Sequence, residues 1–259
     1  MPDLILAVKA EWLKLKRSPI LWISFIAFGL APLMAGLFML LLQNPELAGK
    51  AGSLTIKARL MNFNADWPSF LAILQQALGV GGILVFGFVA SWVFGREFSD
   101  GTLKDLLALP VHRGTLVHAK FTIYLIWCLG LSFSNLFIGM LIGTLLNLQV
   151  LSTGSQPLTD YLITSFMVIL SGIPVAFIAS WGKGYLAPLG YVALTLVLAQ
   201  IIAAAGFGRY FPWAVPGLFS DISGGMNQLT GWSYGILILT GVAGYILTLF
   251  HWYNADHSR

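Results

Sequence analysis

Charge is what this sequence has least of. Asp, Glu, Lys and Arg make up only 9% of its 259 residues, whereas a domain folded in water carries roughly 25%. Hydrophobic residues make up 58% and the mean hydropathy is +0.83, which excludes an ordinary water-soluble fold. Cysteine is almost absent. Cys128 stands alone inside an apolar run, which excludes an intrachain disulfide and a thiolate metal cluster, and it reads as a small core hydrophobe. The histidines, His112, His118, His251 and His257, lack the close helical spacing that aims two imidazoles at one metal. A phosphate-binding loop is missing too: Gly49-Lys50 has neither the earlier glycine nor the following hydroxyl residue. Neither an internal repeat nor a low-complexity tract is evident, which removes support from carriers built of inverted repeats.

Long apolar runs are abundant instead. A membrane-spanning helix needs about 20 apolar residues, and six runs qualify: 20–42, 70–94, 121–146, 161–181, 185–207 and 233–250. Lys9, Lys14, Lys16 and Arg17 precede the first, as in a secretory signal, but its 23 residues exceed the about 7–15 of a signal core. It is read as a retained span. Trp22, Trp67, Trp92, Trp181, Trp232 and Trp252 fall near the ends of runs, where amphipathic rings sit at the headgroup level; Trp127 lies inside one. The fold class predicted is an all-α integral membrane protein forming a single domain over residues 1–259.

Orientation follows from basic residues between the runs. With the N-terminus in the cytoplasm, Lys9, Lys14, Lys16, Arg17, Arg96, Lys104, Arg113, Lys120, Lys183 and Arg259 lie inside, and Lys50, Lys57, Arg59 and Arg209 outside. Ten against four selects this arrangement, with both termini in the cytoplasm of a cell that holds the protein in its plasma or inner membrane. Residues 3–17 read as an interfacial helix with Leu4, Ile5, Val8, Trp12 and Leu15 on one face and Lys9, Lys16 and Arg17 on another. Ser18-Pro19 marks its joint with the first span. The outer segments 43–69 and 208–231, the latter holding Phe211-Pro212-Trp213-Ala214-Val215-Pro216, suit short re-entrant or surface helices.

None of the six runs holds Asp, Glu, Lys or Arg away from its ends, so the proton relays and ion sites of coupled carriers and membrane enzymes are not in evidence. Gln75, Gln76, Asn135 and Gln200 are candidate substrate-path residues, with hydrogen bonding between helices as the plainer role. Gly139 and Gly143 form a small-xxx-small pair, and Gly79, Gly81, Gly82 and Gly87 crowd the second run, allowing close packing within one chain or between two. Pro174 should bend the fourth run.

The inner segment 95–120 is densest in signals. It holds Arg96, Lys104, Arg113 and Lys120 together with Glu97, Asp100 and Asp105. Asp100-Gly101 ends the preceding helix, Thr102 is placed to cap a new one with Asp105 in a variant capping box, and Pro110 bounds it. A helix of about seven residues is marginal alone. Leu103, Leu106 and Leu107 form an i, i+3, i+4 stripe that needs something to pack on, either the chain's own surface or a groove on a soluble partner.

The run from Arg96-Glu97 through Gly101-Thr102-Leu103-Lys104 to Leu107, Pro110-Val111, Arg113 and Lys120 resembles the first cytoplasmic loop of type-2 permeases, the membrane subunits of ATP-binding cassette exporters. The opening Glu11-Trp12-Leu13-Lys14-Leu15-Lys16-Arg17 and the run Phe211-Pro212-Trp213 look like the bacitracin-resistance and lantibiotic-immunity branch. His112 departs from the small polar residue common at that place. The resemblance implies a permease that pairs with a second permease chain and two ATP-binding subunits, moving an amphipathic substrate such as a peptide antibiotic outward. It implies a coupling helix over 103–109, with Glu97, Gly101, Thr102, Leu103, Leu106, Leu107, Pro110 and Arg113 as the partner-binding set. Membrane lipid is the surrounding partner, and nucleic acid is not expected. The chain itself carries no cofactor, ATP and Mg being bound by the partner subunits, and it is not an enzyme in its own right. The rival readings are an ion-coupled secondary carrier and a non-transporting membrane scaffold.

Overall fold

The structure, a computed structural model, describes residues 2–44, 64–108, 110–148, 156–221 and 225–254, with only the backbone described at Pro2 and Leu107. Helix α1 covers Pro2–Lys16 and α2 Pro19–Gln43; α3 is Trp67–Ser99, α4 Leu103–Leu107, α5 Arg113–Leu145, α6 Gln156–Trp181, α7 Leu186–Ala204, α8 Val215–Phe219 and α9 Gly231–Asn254. Six of these, α2, α3, α5, α6, α7 and α9, are long and apolar enough to cross a membrane. No β-strand occurs among the described residues. The surface helix expected within 43–69 falls largely outside the described residues, as does Leu109 at the end of the expected coupling helix.

Local chemistry sets the joints. Arg17 and Ser18 separate α1 from α2, and the Ser18 hydroxyl accepts from the Ile20 N–H at 3.3 Å beside Pro19 at the first helical position. Helix α3 starts on Asp66, whose carboxylate accepts from Ser69 N–H at 2.9 Å. Gly101, at φ +69°, takes the left-handed conformation that ends α3 and turns the chain into α4. The helices outrun the apolar runs at two places. Both α3 and α5 extend to 33 residues, carrying Arg96 and Glu97 at the end of one and Arg113 and Lys120 at the start of the other.

Two helices make the centre. In their most apolar stretch α3 is 67% buried and α6 56%, against 22–28% for α2, α7 and α9. Close approach comes from glycine: Gly79 lies against Pro216 and Ser220 beside α8, Gly82 against Val168 of α6, and Gly87 against Val192 of α7. Gly139 and Gly143 of α5 receive Leu74 and Trp67 of α3, so this small-residue pair serves packing within the chain. Pro174 lies inside α6, and Gly244 of α9 sits against its ring and backbone. At the end of the bundle remote from α1, short turns at Gly208–Tyr210, Pro212–Ala214 and Gly225–Gln228 accompany α8. Val215 and Phe219 pack there with Met167 and Leu237, so the expected short outer helices fold back onto the bundle.

Helix α1 turns a different side inward from the one its leucines suggest. Its inner face is Ala7, Val8, Glu11, Lys14 and Leu15, with Glu11 and Leu15 buried, while Leu4, Ile5, Trp12 and Leu13 remain exposed. Two charged residues displace three apolar ones because they find partners in the bundle, described below.

A β-carbon at Gly244 would lie 2.6 Å from the Pro174 Cα, a backbone atom that cannot step aside. Gly244→Ala should therefore force α9 away from α6 and cost roughly 1–3 kcal/mol. Gly190→Ala, where nothing lies within 4 Å, should be neutral or slightly stabilising. Thermal unfolding of the two variants in detergent measures the contrast.

Candidate functional site

At the α1 end of the bundle four charges meet, three of them buried and one, Lys14, partly exposed. Lys120 of α5 is fully buried, Glu97 of α3 is 3% exposed and Glu11 of α1 8%. The Lys120 ammonium donates to the Val93 carbonyl at 2.9 Å and lies 2.7 Å from Glu97 Oε2, outside hydrogen-bonding geometry but in close ionic contact. Its distance to Glu11 Oε2 is 3.5 Å. Lys14 completes the cluster at 2.6 Å from Glu11 Oε1 and 3.1 Å from Glu97 Oε1. Two acids against two bases make the cluster neutral, and each carboxylate bridges two ammonium groups. This removes the cost of burying any one of them alone.

Burial pulls the Lys14 ammonium down, but Glu11 and Glu97 outweigh it and hold its pKa above the ordinary 10.5. A raised lysine stabilises fully below its unfolded value, and that stability is lost only as pH rises through the higher folded value. The Lys14 contacts therefore persist across the whole physiological range. Beside the cluster, Arg96 stacks on Trp92 with 4.9 Å to the ring centroid and pairs with Asp100 at 3.2 Å. Cluster and stack together fix the end of α3, from which the chain enters α4.

Helix α4 has five residues, Leu103–Leu107, rather than about seven, and its start differs from the expected capping box. Thr102 occupies the N-cap position but makes no side-chain cap hydrogen bond. Leu103 is 7% exposed and belongs to the main hydrophobic core, with Leu106 packed partly against it. Leu103, and Leu106 in part, thus pack within this chain, which corrects the expectation that a partner groove buries Leu103. Gly101, Thr102, Lys104, Asp105, Ala108 and Pro110 are exposed on the outer side. An open cleft of about 380 Å³ lined by Lys14, Arg96, Glu97, Asp100, Asp105 and Leu106 adjoins the helix. Arg113 is used internally: its guanidinium donates to the carbonyls of Trp252 and Tyr253 at 3.3 and 3.4 Å, a cation at the C-terminal end of α9.

The candidate substrate-path residues divide into two kinds. Gln75 donates to Thr164 Oγ1 at 3.1 Å. Asn135 donates to the Phe28 carbonyl at 3.0 Å and accepts from Tyr161 at 3.3 Å. These two join helices. Gln76 and Gln200 instead face one cavity of about 220 Å³ between α3 and α7, shared with Val80, Trp213, Leu218 and Asp221.

The family resemblance implies Glu97 as part of a partner-binding set and gives Glu11 and Lys120 no site, whereas the structure brings all three together. The Glu11 to Lys14 spacing of one turn was the available signal, since it places acid and base on one side of a helix next to Leu15. Nothing in the sequence pairs Lys120 with either acid, 109 residues from Glu11.

Six helices long and apolar enough to span a bilayer define a multi-pass membrane protein. Comparison with known proteins then supplies the class: the model of the ABC-2 family transporter proteins matches residues 7–201. The chain belongs to that family and is a transmembrane permease of the ABC transporter kind. It is similar to the bacitracin transport permease protein BCRB of Bacillus licheniformis, 22% identical over 177 residues that cover 68% of this chain and 85% of that one. No solved structure matches.

Removing one member leaves this neutral cluster with a net charge among buried groups, at a cost of about 3 kcal/mol or more. Glu97→Gln and Lys120→Met should each lower the unfolding temperature. Glu97→Gln combined with Lys120→Met should recover part of the loss, as a double-mutant cycle by thermal unfolding in detergent would read. Strictly additive losses would contradict the coupling.

Proposed function

We propose that the chain is the membrane subunit of an ATP-driven exporter, paired with a second permease chain and driven by two separate ATP-binding subunits that dock on α4 from the cytoplasm. The observation carrying this reading is the mounting of α4: Leu103 anchors it in the core while Lys104, Asp105 and Ala108 stand exposed. The helix is held like a peg, with a polar surface free for a soluble partner. It follows directly on the end of α3 that Glu97 and Arg96 tie to α1 and Asp100. A push on α4 is thereby delivered to the central helix, whose other half lines the Gln76 and Gln200 cavity. That cavity is the part of the path where a substrate meets amide groups. A peptide-antibiotic substrate is supported by the relative whose name speaks of bacitracin transport. ATP and Mg belong to the partners in this reading.

Orientation with the α1 end inside has the support of Lys9, Lys14, Lys16, Arg17, Arg96, Lys104, Arg113, Lys120 and Lys183 at that end, against Arg209 at the other, among the described residues. In a Cys128→Ala background, a cysteine at Asp105 should be protected from an impermeant thiol reagent applied outside intact cells, and one at Asn227 should react. Both positions are exposed; the reverse labelling pattern refutes the orientation.

The docking face has its own test. Exchanging the charges by Lys104→Glu with Asp105→Lys leaves the Leu103 anchor alone, so insertion and thermal stability should hold. Recovery of the ATP-binding subunit on purification should drop by on the order of tenfold or more, because mismatched charge across an interface costs several kcal/mol. Full recovery with undiminished ATP-dependent transport would exclude α4 as the coupling element.

A further inference from the structure

On the side of α1 away from the charge cluster lies a groove of another character. Trp12 and Leu15 of α1, Leu21, Trp22 and Phe25 of α2, and Ile126, Trp127 and Gly130 of α5 enclose about 280 Å³. Polar groups on its floor are already used: Trp127 Nε1 donates to Ser24 Oγ at 3.0 Å, and Ser24 donates to the Leu21 carbonyl at 2.7 Å. The cavity is therefore dry in character and offers a guest only apolar contact. It opens sideways beside exposed Trp22, Ile23 and Ile26, on a helix of spanning length, so the medium at its mouth is lipid. Gly130 leaves room there, since a β-carbon would meet nothing closer than the Phe25 ring at 3.4 Å.

What distinguishes this groove from any gap between helices is the charge at its rim. Lys9, Trp12 and Lys16 stand at i, i+3 and i+7, on one strip of α1. Both lysines are exposed, and neither has a hydrogen-bond or ion-pair partner among the described residues. Their neighbour Lys14, by contrast, is committed to Glu11 and Glu97. Two free ammonium groups flank the tryptophan that roofs an apolar slot, and α1 lies where headgroups are found. We propose that the slot is a specific site for an anionic phospholipid, with an acyl chain between Trp12, Trp22 and Phe25 and the phosphate on Lys9 and Lys16. Charge complementarity selects this occupant over a zwitterionic lipid, since basic residues beside an interfacial helix attract anionic headgroups. The lipid holds α1 against α2 and α5, and so reaches the element that carries Glu11 and Lys14. The site stands independently of the proposed transport function.

The test uses the full chain in phosphatidylcholine bilayers containing a few per cent of lipid brominated on its acyl chains, either phosphatidylglycerol or phosphatidylcholine, with tryptophan fluorescence as readout. Brominated phosphatidylglycerol should quench more strongly than brominated phosphatidylcholine at equal content, and Trp22→Phe should remove much of the excess. Lys9→Gln with Lys16→Gln should reduce the preference by roughly twentyfold, at about fivefold for each lysine near a membrane surface. Gly130→Leu, which fills the slot without touching charge, should abolish the excess as well. Lys104→Gln, away from the groove, should leave it unchanged, and millimolar inorganic phosphate should fail to displace the lipid. Equal quenching by both lipids overturns the proposal. So does a preference surviving either slot variant, an equal loss with Lys104→Gln, or displacement by free phosphate.

Discussion

A lysine without water must have an anion, and that requirement organises one whole end of this molecule. Lys120 is completely buried at the start of α5, with the Val93 carbonyl and the carboxylates of Glu97 and Glu11 around it. Val93 and Glu97 belong to α3 and Glu11 to α1, so satisfying one ammonium group fastens α1 and α3 to α5. Lys14 then balances the second carboxylate charge. Surface ion pairs contribute little because water competes for both partners. Here Lys120 and the two carboxylates are buried, with only Lys14 partly open to water, and the geometry of three helices is tied to the pairing. Apolar replacement of the whole cluster could be as stable; what the charges supply is a unique register of α1 on the bundle.

Elsewhere the packing is apolar, and small residues determine how near the helices come. In lipid there is little hydrophobic gain from bringing two apolar helices together, so contact area and backbone proximity decide. Helix α3 uses successive glycines to receive α8, α6 and α7, and α5 returns the arrangement by taking Leu74 and Trp67 at Gly139 and Gly143. Polar side chains pin these contacts, as when Tyr161 bonds the Ser132 carbonyl and Trp252 bonds Ser180. Close packing at the centre and a charged cluster at one end join α3, which leads into α4, to α1, α5 and α6.

The leucine stripe on α4 shows how a correct observation can point to the wrong surface. Periodicity establishes that Leu103 and Leu106 must be covered, but it is silent on what covers them. The chain covers Leu103 and part of Leu106, and leaves Lys104 and Asp105 exposed. The same holds on α1, where Leu4, Ile5, Trp12 and Leu13 stay outside and Glu11 and Lys14 turn inward beside Val8 and Leu15. Exposed leucine and tryptophan are costly in water but not beside lipid, so the usual rule that the apolar face points to the core loses its force at a membrane surface.

The six spans, the break at Ser18, the turn at Gly101 and the family resemblance were all legible in the chain itself. They depend on run length, on local backbone chemistry and on motif, none of which needs distant residues. Three-dimensional arrangement alone decided that Lys120 is buried, that Glu11 and Glu97 share it with Lys14, that Gln76 and Gln200 face one cavity while Gln75 and Asn135 bind helices, and that Leu103 belongs to the core. The reason is physical. A charge or an amide carries the same residue code whether it meets lipid, water or a counter-ion, and the partner that settles its role lies tens of residues away.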